Sequence, residues 1–420
     1  MKAFLIFIAL CFSGFLASCQ SIQLQQRLMP QYYGAVVNDG KDDSVAINAA
    51  LNALNPGETL FFPAGVYDLD EPLRRDHLDS NIITGEVGSI LRKTQAFKGE
   101  YIFYIRFSKD VTVSGLTFEG LTTDTDQVQW GEQGLFLGST RNSRLFNNTF
   151  RDFGDACLRV TTSSSDPIKG VNSYNALIEH NRFINCTQIT TTQVIDGYGG
   201  TENITAQWNY FDGLKGSLKF CSKEPVAGGR VLNNIFSHGK GNAIEVCSYG
   251  DIEVAGNYIA DNQQYAMNFY ENRPFAWDNH WIHNNVIDHS LAGIAFWGLQ
   301  INSDYGPVKN INIERNCFAN IRGGEHLHPG VIRLTSNHST KSYDGIYVAN
   351  NRFYNISDNQ MIYIRPTATN VVSENNELSN YSCSTESLAK LAKPDFWLSN
   401  HLSSNYQSHW VDLINCLTNR

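Results

Sequence analysis

The sequence predicts an all-β chain wound as a right-handed parallel β-helix, a solenoid of about ten coils. Three observations carry this expectation. A short unit, Asn followed two places later by an apolar residue, recurs in LFNNTFRDF, IEHNRFINC, AQWNYFDGL, VLNNIFSHG and IERNCFANI. Each unit precedes a short apolar segment with period-two alternation: CLRV, SLKFC, AIEVC, AMNFY, GIAFW, VIRLT, MIYIR. Amphipathic helical patterns stand near both ends, where a solenoid needs lids over its open strand edges.

Met1-Lys2 and the apolar run AFLIFIALCFSGFLA read as a signal peptide over residues 1–18. The tetrapeptide LASC resembles a bacterial lipobox. That resemblance implies a lipid anchor on Cys19, a linker over 19–30 and an outer-membrane lipoprotein; plain secretion is the alternative. No later segment is apolar and long enough to span a bilayer. A formal charge of -9 and an isoelectric point near 5.7 argue against nucleic acid as partner. A monomer is expected.

Residues 33–69 hold the most specific local signal. In YGAVVNDGKDDSVAINAALNAL, Asp42, Asp43 and Ser44 suit a helix N-cap. Ala46, Ile47, Ala50, Leu51 and Leu54 then share a helical face, and Asn55-Pro56-Gly57 ends it. GETLFFPAGVYDL follows as strand, turn and strand. The whole stretch resembles the opening of the pectate-lyase-superfamily β-helix proteins. The resemblance implies an N-terminal cap and first coil, and a fold shared by lyases, hydrolases, epimerases and phage tail proteins.

The repeat sets the body. Asn148, Asn181, Asn209, Asn234, Asn257, Asn285, Asn316, Asn351 and Asn376 are spaced by 33, 28, 25, 23, 28, 31, 35 and 25 residues. Leu116 holds the Asn slot of an earlier unit, VSGLTF. Such uneven gaps fit β-coils with turns of variable length, not helical hairpins. Stacked Asn amides can bond from coil to coil, and the following Phe fills the core. Residues 31–382 form one β-helix, and 383–420, with STESLAKLAK and SHWVDLINCLTN, form a helical C-terminal cap. Cys221 with Cys247, and Cys383 with Cys416, are candidate disulfides; buried free thiols fit equally.

Alternation assigns side chains to faces. Leu218/Phe220, Ile244/Val246, Met267/Phe269, Ile294/Phe296 and Ile332/Leu334 point inward. Arg159, Lys219, Glu245, Asn268, Ala295, Arg333 and Tyr363 then form one outward row, with Cys221, Cys247, Tyr270, Trp297, Thr335 and Arg365 in the next. Cations, a carboxylate, an amide and aromatics on one stripe suit a glycan groove. The shortest coils run from Asn209 to Asn257, and longer loops on each side leave Lys219 and Glu245 at the floor of a saddle.

These residues suit β-elimination or epimerisation of an acidic, uronate-containing polysaccharide. Lys219 would be the base beside Glu245, Arg333 or Arg159 would hold the carboxylate, and Tyr270 or Tyr363 would donate to the leaving oxygen. Arg159, Asn268, Trp297, Tyr363 and Arg365 would bind substrate. A plain ion pair between Lys219 and Glu245 is the structural alternative. A glycoside hydrolase needs two carboxylates. GDACLRV resembles a polygalacturonase segment, but Ala156 stands where its second Asp belongs; Asp196 and Glu245, about 10 Å apart by stacking, are the substitute pair. The RHG of calcium-dependent lyases and the DPHD of alginate epimerases are absent. A Ca²⁺ cofactor would have only Asp196, Glu245 and Glu271 to hold it. His180, His238, His283 and His289 fall near corners, and His326 and His328 lie in a long loop. A non-catalytic glycan-binding or envelope-assembly protein is the competing class.

Overall fold

The computed structural model of the chain describes residues 27–123, 129–163, 172–190, 201–221, 227–247, 250–270, 278–298, 308–323, 330–336, 343–356 and 361–379. The signal segment, Cys19, Asp196, Glu271, His326, His328, the C-terminal cap and the Cys383–Cys416 pairing lie outside the described residues.

The chain is a right-handed parallel β-helix. Among the described residues, face one is a sheet of 13 strands running from Arg27–Leu28 to Thr369–Glu374. Faces two and three join as one sheet of 21 strands, because Thr149–Thr161 and Arg182–Thr190 pass through the bend between them. Face two holds the segments after each Asn, such as Tyr210–Asp212, Ile235–Ser237 and Tyr258–Ala260. Face three holds Leu218–Cys221, Ile244–Cys247, Tyr265–Tyr270, Ala292–Gly298, Ile332–Ser336 and Ile362–Ile364. Every strand pair is parallel, so each coil pairs with the next in register.

The Asn corner is built as the spacing predicts. Asn209 donates Nδ2–H to Asn234 Oδ1 at 3.0 Å, Asn234 to Asn257 at 3.0 Å and Asn257 to Asn285 at 2.9 Å. The same pattern begins at Asn148 and ends on Asn376. Each Oδ1 also accepts the backbone N–H of the preceding coil's Asn, for example Asn234 N–H to Asn257 at 2.9 Å. The residue before each ladder Asn turns the chain with positive φ: His180 (56°), Asn233 (54°), Gly256 (66°), Asn284 (54°). The ladder therefore satisfies the buried polar groups that this turn exposes.

Inside it, Phe118, Phe150, Phe183, Phe211 and Phe236 stack coil upon coil with ring centroids 4.4–5.0 Å apart. All five are buried, and burial of this order stabilises by roughly 2–3 kcal/mol for each ring.

Helix α1, Ser44–Ala53, covers the first coil and buries Ile47, Ala50 and Leu51. Its cap departs from the expected form. Asp43 occupies the N-cap position without a side-chain cap bond, and its Oδ1 instead accepts Val36 N–H at 2.8 Å. Asp42 Oδ1 accepts the backbone N–H of Ser44 and of Asp70, and Ser44 Oγ accepts from Asp70 and Glu71. These side chains thus fasten the helix to the sheet rather than only closing its end.

Among the described residues two disulfides join neighbouring coils. Cys221–Cys247 is the pairing expected from equivalent strand ends. Cys157–Cys186 was not foreseen: register shifts in the long strand Thr149–Thr161 bring those sulfurs together, and simple alternation does not anticipate them.

Candidate functional site

Face three presents the outward row that alternation assigns. Arg159 pairs with Thr190, Thr190 with Lys219, Lys219 with Glu245, Glu245 with Asn268, Asn268 with Ala295, Ala295 with Arg333, and Arg333 with Tyr363. Upstream the same row continues through Phe136 and Tyr104 to Arg74. Cys221, Cys247, Tyr270, Trp297 and Thr335 form the neighbouring row.

The row's chemistry concentrates at Glu245. Lys219 Nζ lies 2.7 Å from Glu245 Oε1, with side chains 29% and 14% exposed. The Tyr270 hydroxyl donates to the same Oε1 at 2.6 Å. Ser217 Oγ and Asn242 Nδ2 donate to Oε2 at 3.3 and 3.4 Å. Burial by itself raises the Glu245 pKa; the Lys219 charge and the donated bonds outweigh it and hold the carboxyl below its usual range. Burial, reinforced by the Glu245 charge, pushes the Tyr270 phenol far above its usual range, so it stays protonated. The site is an ionised carboxylate gripped by an ammonium and a neutral phenol, open to water on one side. Ser217 and Asn242 were missed in the sequence; the Asn-x-x-Glu spacing of Asn242 and Glu245 was the available signal.

Arg333 does not fill its expected role. It is 1% exposed, so no polymer carboxylate reaches it in this conformation. The Trp297 ring covers its guanidinium at 3.8 Å, and the Tyr265 ring lies 5.3 Å away. Trp297 is accordingly half-buried rather than the exposed platform expected. Tyr265 shares parity with inward Met267, yet it sits where the strand begins and its ring meets Trp297 edge-on. Alternation fixes which side of the sheet a residue leaves from, not what lies over it.

Arg159 is also covered. It is 7% exposed and lies 3.7 Å from Asp155. Beside it Lys93 is buried, donating to the Glu100 carbonyl at 2.6 Å and facing Glu132 at 3.6 Å. Burial pushes the Lys93 pKa down to about 8 against the pull of Glu132. These charges brace the interior of the upstream coils. Asn268 and Tyr363 are half-buried along the row, and Arg365 is half-buried just past the end of its strand.

The corner histidines behave as the spacing predicts. His180, His238 and His289 take positive φ at bends, and His238 Nδ1 and His289 Nδ1 each lie 2.8 Å from a neighbouring Asp. His283 ends a face-one strand instead. Among the described residues, the metal-ligand cluster is Cys221, Glu245 and Cys247. The two sulfurs are joined to each other and the carboxylate is held by Lys219, so this group does not fit the oxygen cage that Ca²⁺ requires.

A cavity of about 700 Å³ lies elsewhere, on face one. It is lined by Asn203, Gly228, Gly229, Arg230, Asp251, Glu253, Asn279 and Trp281. Sequence reading did not single out these residues.

No protein-family model matches the chain, and no curated protein matches it. Solved structures match in fold. The surface adhesin PfbA of Streptococcus pneumoniae aligns at 16% identity and TM-score 0.63, over 85% of this chain and 92% of that one. A hyperthermoactive exopolygalacturonase from Thermotoga maritima aligns at 11% identity and TM-score 0.57, over 85% and 91%. The tailspike protein of Acinetobacter baumannii phage AM24 aligns at 13% identity and TM-score 0.54, over 78% of this chain and 54% of that one.

Proposed function

We propose that the chain is a polysaccharide-active β-helix protein whose face three binds a uronate-containing polymer and acts on it by β-elimination or epimerisation. The single observation that carries this is the Lys219–Glu245–Tyr270 constellation, with contacts of 2.7 and 2.6 Å on a half-buried outward row. A fold shared with an exopolygalacturonase supports a polysaccharide as the ligand class.

The geometry favours a different division of roles from the one the sequence suggests. Lys219 is engaged as an ammonium with Glu245, which suits it to a uronate carboxylate better than to proton removal. When the polymer's C6 carboxylate takes over Lys219, Glu245 loses its counter-charge while staying largely buried. Its pKa then rises, and it becomes the base for the C5 proton. Lys219 stabilises charge developing on the C6 carboxylate. Tyr270, already protonated and beside Glu245, gives its proton to the leaving glycosidic oxygen in elimination; in epimerisation the proton to the opposite face of C5 comes from the solvent side.

A second reading, glycan binding without catalysis, is favoured by the burial of Arg333 and Arg159, which leaves Lys219 as the main cation at the floor. One assay separates the two. A panel of polygalacturonate, alginate and glucuronate polymers is followed by ultraviolet absorbance of unsaturated product and by C5 proton exchange in heavy water. The enzyme reading expects signal on at least one polymer, and a loss of about 10²-fold or more in Glu245→Gln. Binding of a polymer with no product and no exchange would overturn catalysis and leave the binder.

A further inference from the structure

We propose that the face-one groove is a second saccharide site, specific for neutral, hydroxyl-rich pyranose residues and separate from the Lys219–Glu245 centre. It opens from face one, whereas Lys219 and Glu245 leave from face three. Its floor comes from a gap in a repeating column. Successive face-one corners carry Asp110, Asn142, Asn175 and Asn203, then Gly228, then Asp251, Asn279, Asn310 and Gly345, all at positive φ. Amides in this column bond from coil to coil, as Asn279 Nδ2 does to Asp251 Oδ1 at 2.7 Å and Asn310 Nδ2 to Asn279 Oδ1 at 2.8 Å. At Gly228 the side chain is missing, the Asn203 amide leans into its place, and Gly229 follows. The result is a depression of about 700 Å³, within the size range of small-ligand sites.

The wall is an aromatic ring fixed in place. Trp281 donates Nε1–H to Glu314 Oε1 at 2.8 Å and stacks on His283 at 3.9 Å, with planes 28° apart. His283 in turn meets Glu253 at 3.2 Å. With one face of the indole resting on His283, the residue is still 41% exposed, so the other face is offered to solvent. A ring locked in this way loses little freedom when a sugar C–H face stacks on it.

Charge selects the class of sugar. Among the described residues lining the groove, Asp251 and Glu253 face one permanent cation, Arg230, whose Nε lies 3.7 Å from Glu253 Oε2. This excess of carboxylate repels a uronate and accepts hydroxyl donors, and the amides of Asn203 and Asn279 supply further polar partners. Face three has the opposite preference at Lys219.

The test is calorimetric titration of the full chain with neutral oligosaccharides of glucose, mannose, galactose and N-acetylglucosamine, beside oligogalacturonate. Two variants probe the groove. Trp281→Ala removes the platform. Gly228→Asn supplies the amide that Asn203 and Asn279 carry on nearby coils, at positive φ (86°), where Asn is the best tolerated side chain, and crowds the floor by displacing the Asn203 amide. At least one neutral oligosaccharide should bind, and each variant should weaken it by about tenfold or more while melting cooperatively. The proposal is overturned if no neutral oligosaccharide binds, if affinity survives both substitutions in folded protein, or if oligogalacturonate is the ligand that Trp281→Ala abolishes.

Discussion

Faces one and three carry the same order of side chains on the same coils, under different access to water. On face three, Lys219 is followed one coil later by Glu245 and then by Tyr270. On face one, Arg230 is followed by Glu253 and then by Trp281. The first pair closes to 2.7 Å with side chains 29% and 14% exposed; the second stays at 3.7 Å with 64% and 30%. A cation and a carboxylate in water gain little from each other, whereas the same pair partly withdrawn from water perturbs its own proton affinity. Solvent access, more than residue type, separates the two: face three holds a tightly coupled, half-buried pair and face one a looser, exposed one.

The limit of complete withdrawal from water sets the largest expected effect. Asn234→Ala on the buried ladder removes the partner of Asn209 N–H, Asn209 Nδ2 and the Ala206 carbonyl. Unfolding free energy should fall by about 3 kcal/mol or more, read from the denaturant midpoint at constant slope. A smaller loss would mean that water enters the corner and that burial does not set the strength of these contacts.

Lys219→Ala comes next. It leaves Glu245 largely buried without its cation and should cost about 2 kcal/mol near neutral pH. Acid titration gives the sign. The folded Glu245 pKa is depressed, so its contribution is present above the unfolded carboxyl value, near about 4.3, and is lost as pH falls through the folded pKa. In Lys219→Ala burial dominates, the folded pKa rises above the unfolded value, and the contribution reverses: the variant should gain stability as pH falls toward that range. Urea midpoints from pH 3 to pH 7 check this, and parallel curves for wild type and variant would contradict the pairing. Arg230→Ala is the smallest effect, about 0.5 kcal/mol or less, because its partner remains in water. A loss as large as that of Lys219→Ala would erase the distinction between the faces.

The residues explain how far the sequence could be read. The ladder was legible because each coil needs the same amide at the same bend, so Asn148 to Asn376 advertise themselves. The outward row from Lys219 to Tyr363 was legible because parallel pairing keeps like positions in register. The covering of Arg333 by Trp297 was not, since alternation carries no record of what lies above a sheet. Tyr265 was missed because parity fails at a strand's first residue. The Cys157–Cys186 link was hidden by register shifts. The face-one groove was hidden by its nature: it rests on a side chain that Gly228 lacks, and a pattern search finds what recurs more readily than what is omitted.

The amide ladder has a first rung. Leu116 occupies the slot one coil before Asn148, and its backbone N–H bonds to Asn148 Oδ1 at 3.1 Å, but a leucine has no amide to pass the chain further back. The coils between α1 and Leu116 therefore stack without this polar spine. Fraying under mechanical pull or in amide hydrogen exchange should start in that forward section and halt at Asn148, so the solenoid has a built-in breakpoint that divides it into a softer prow and a stiffer hull.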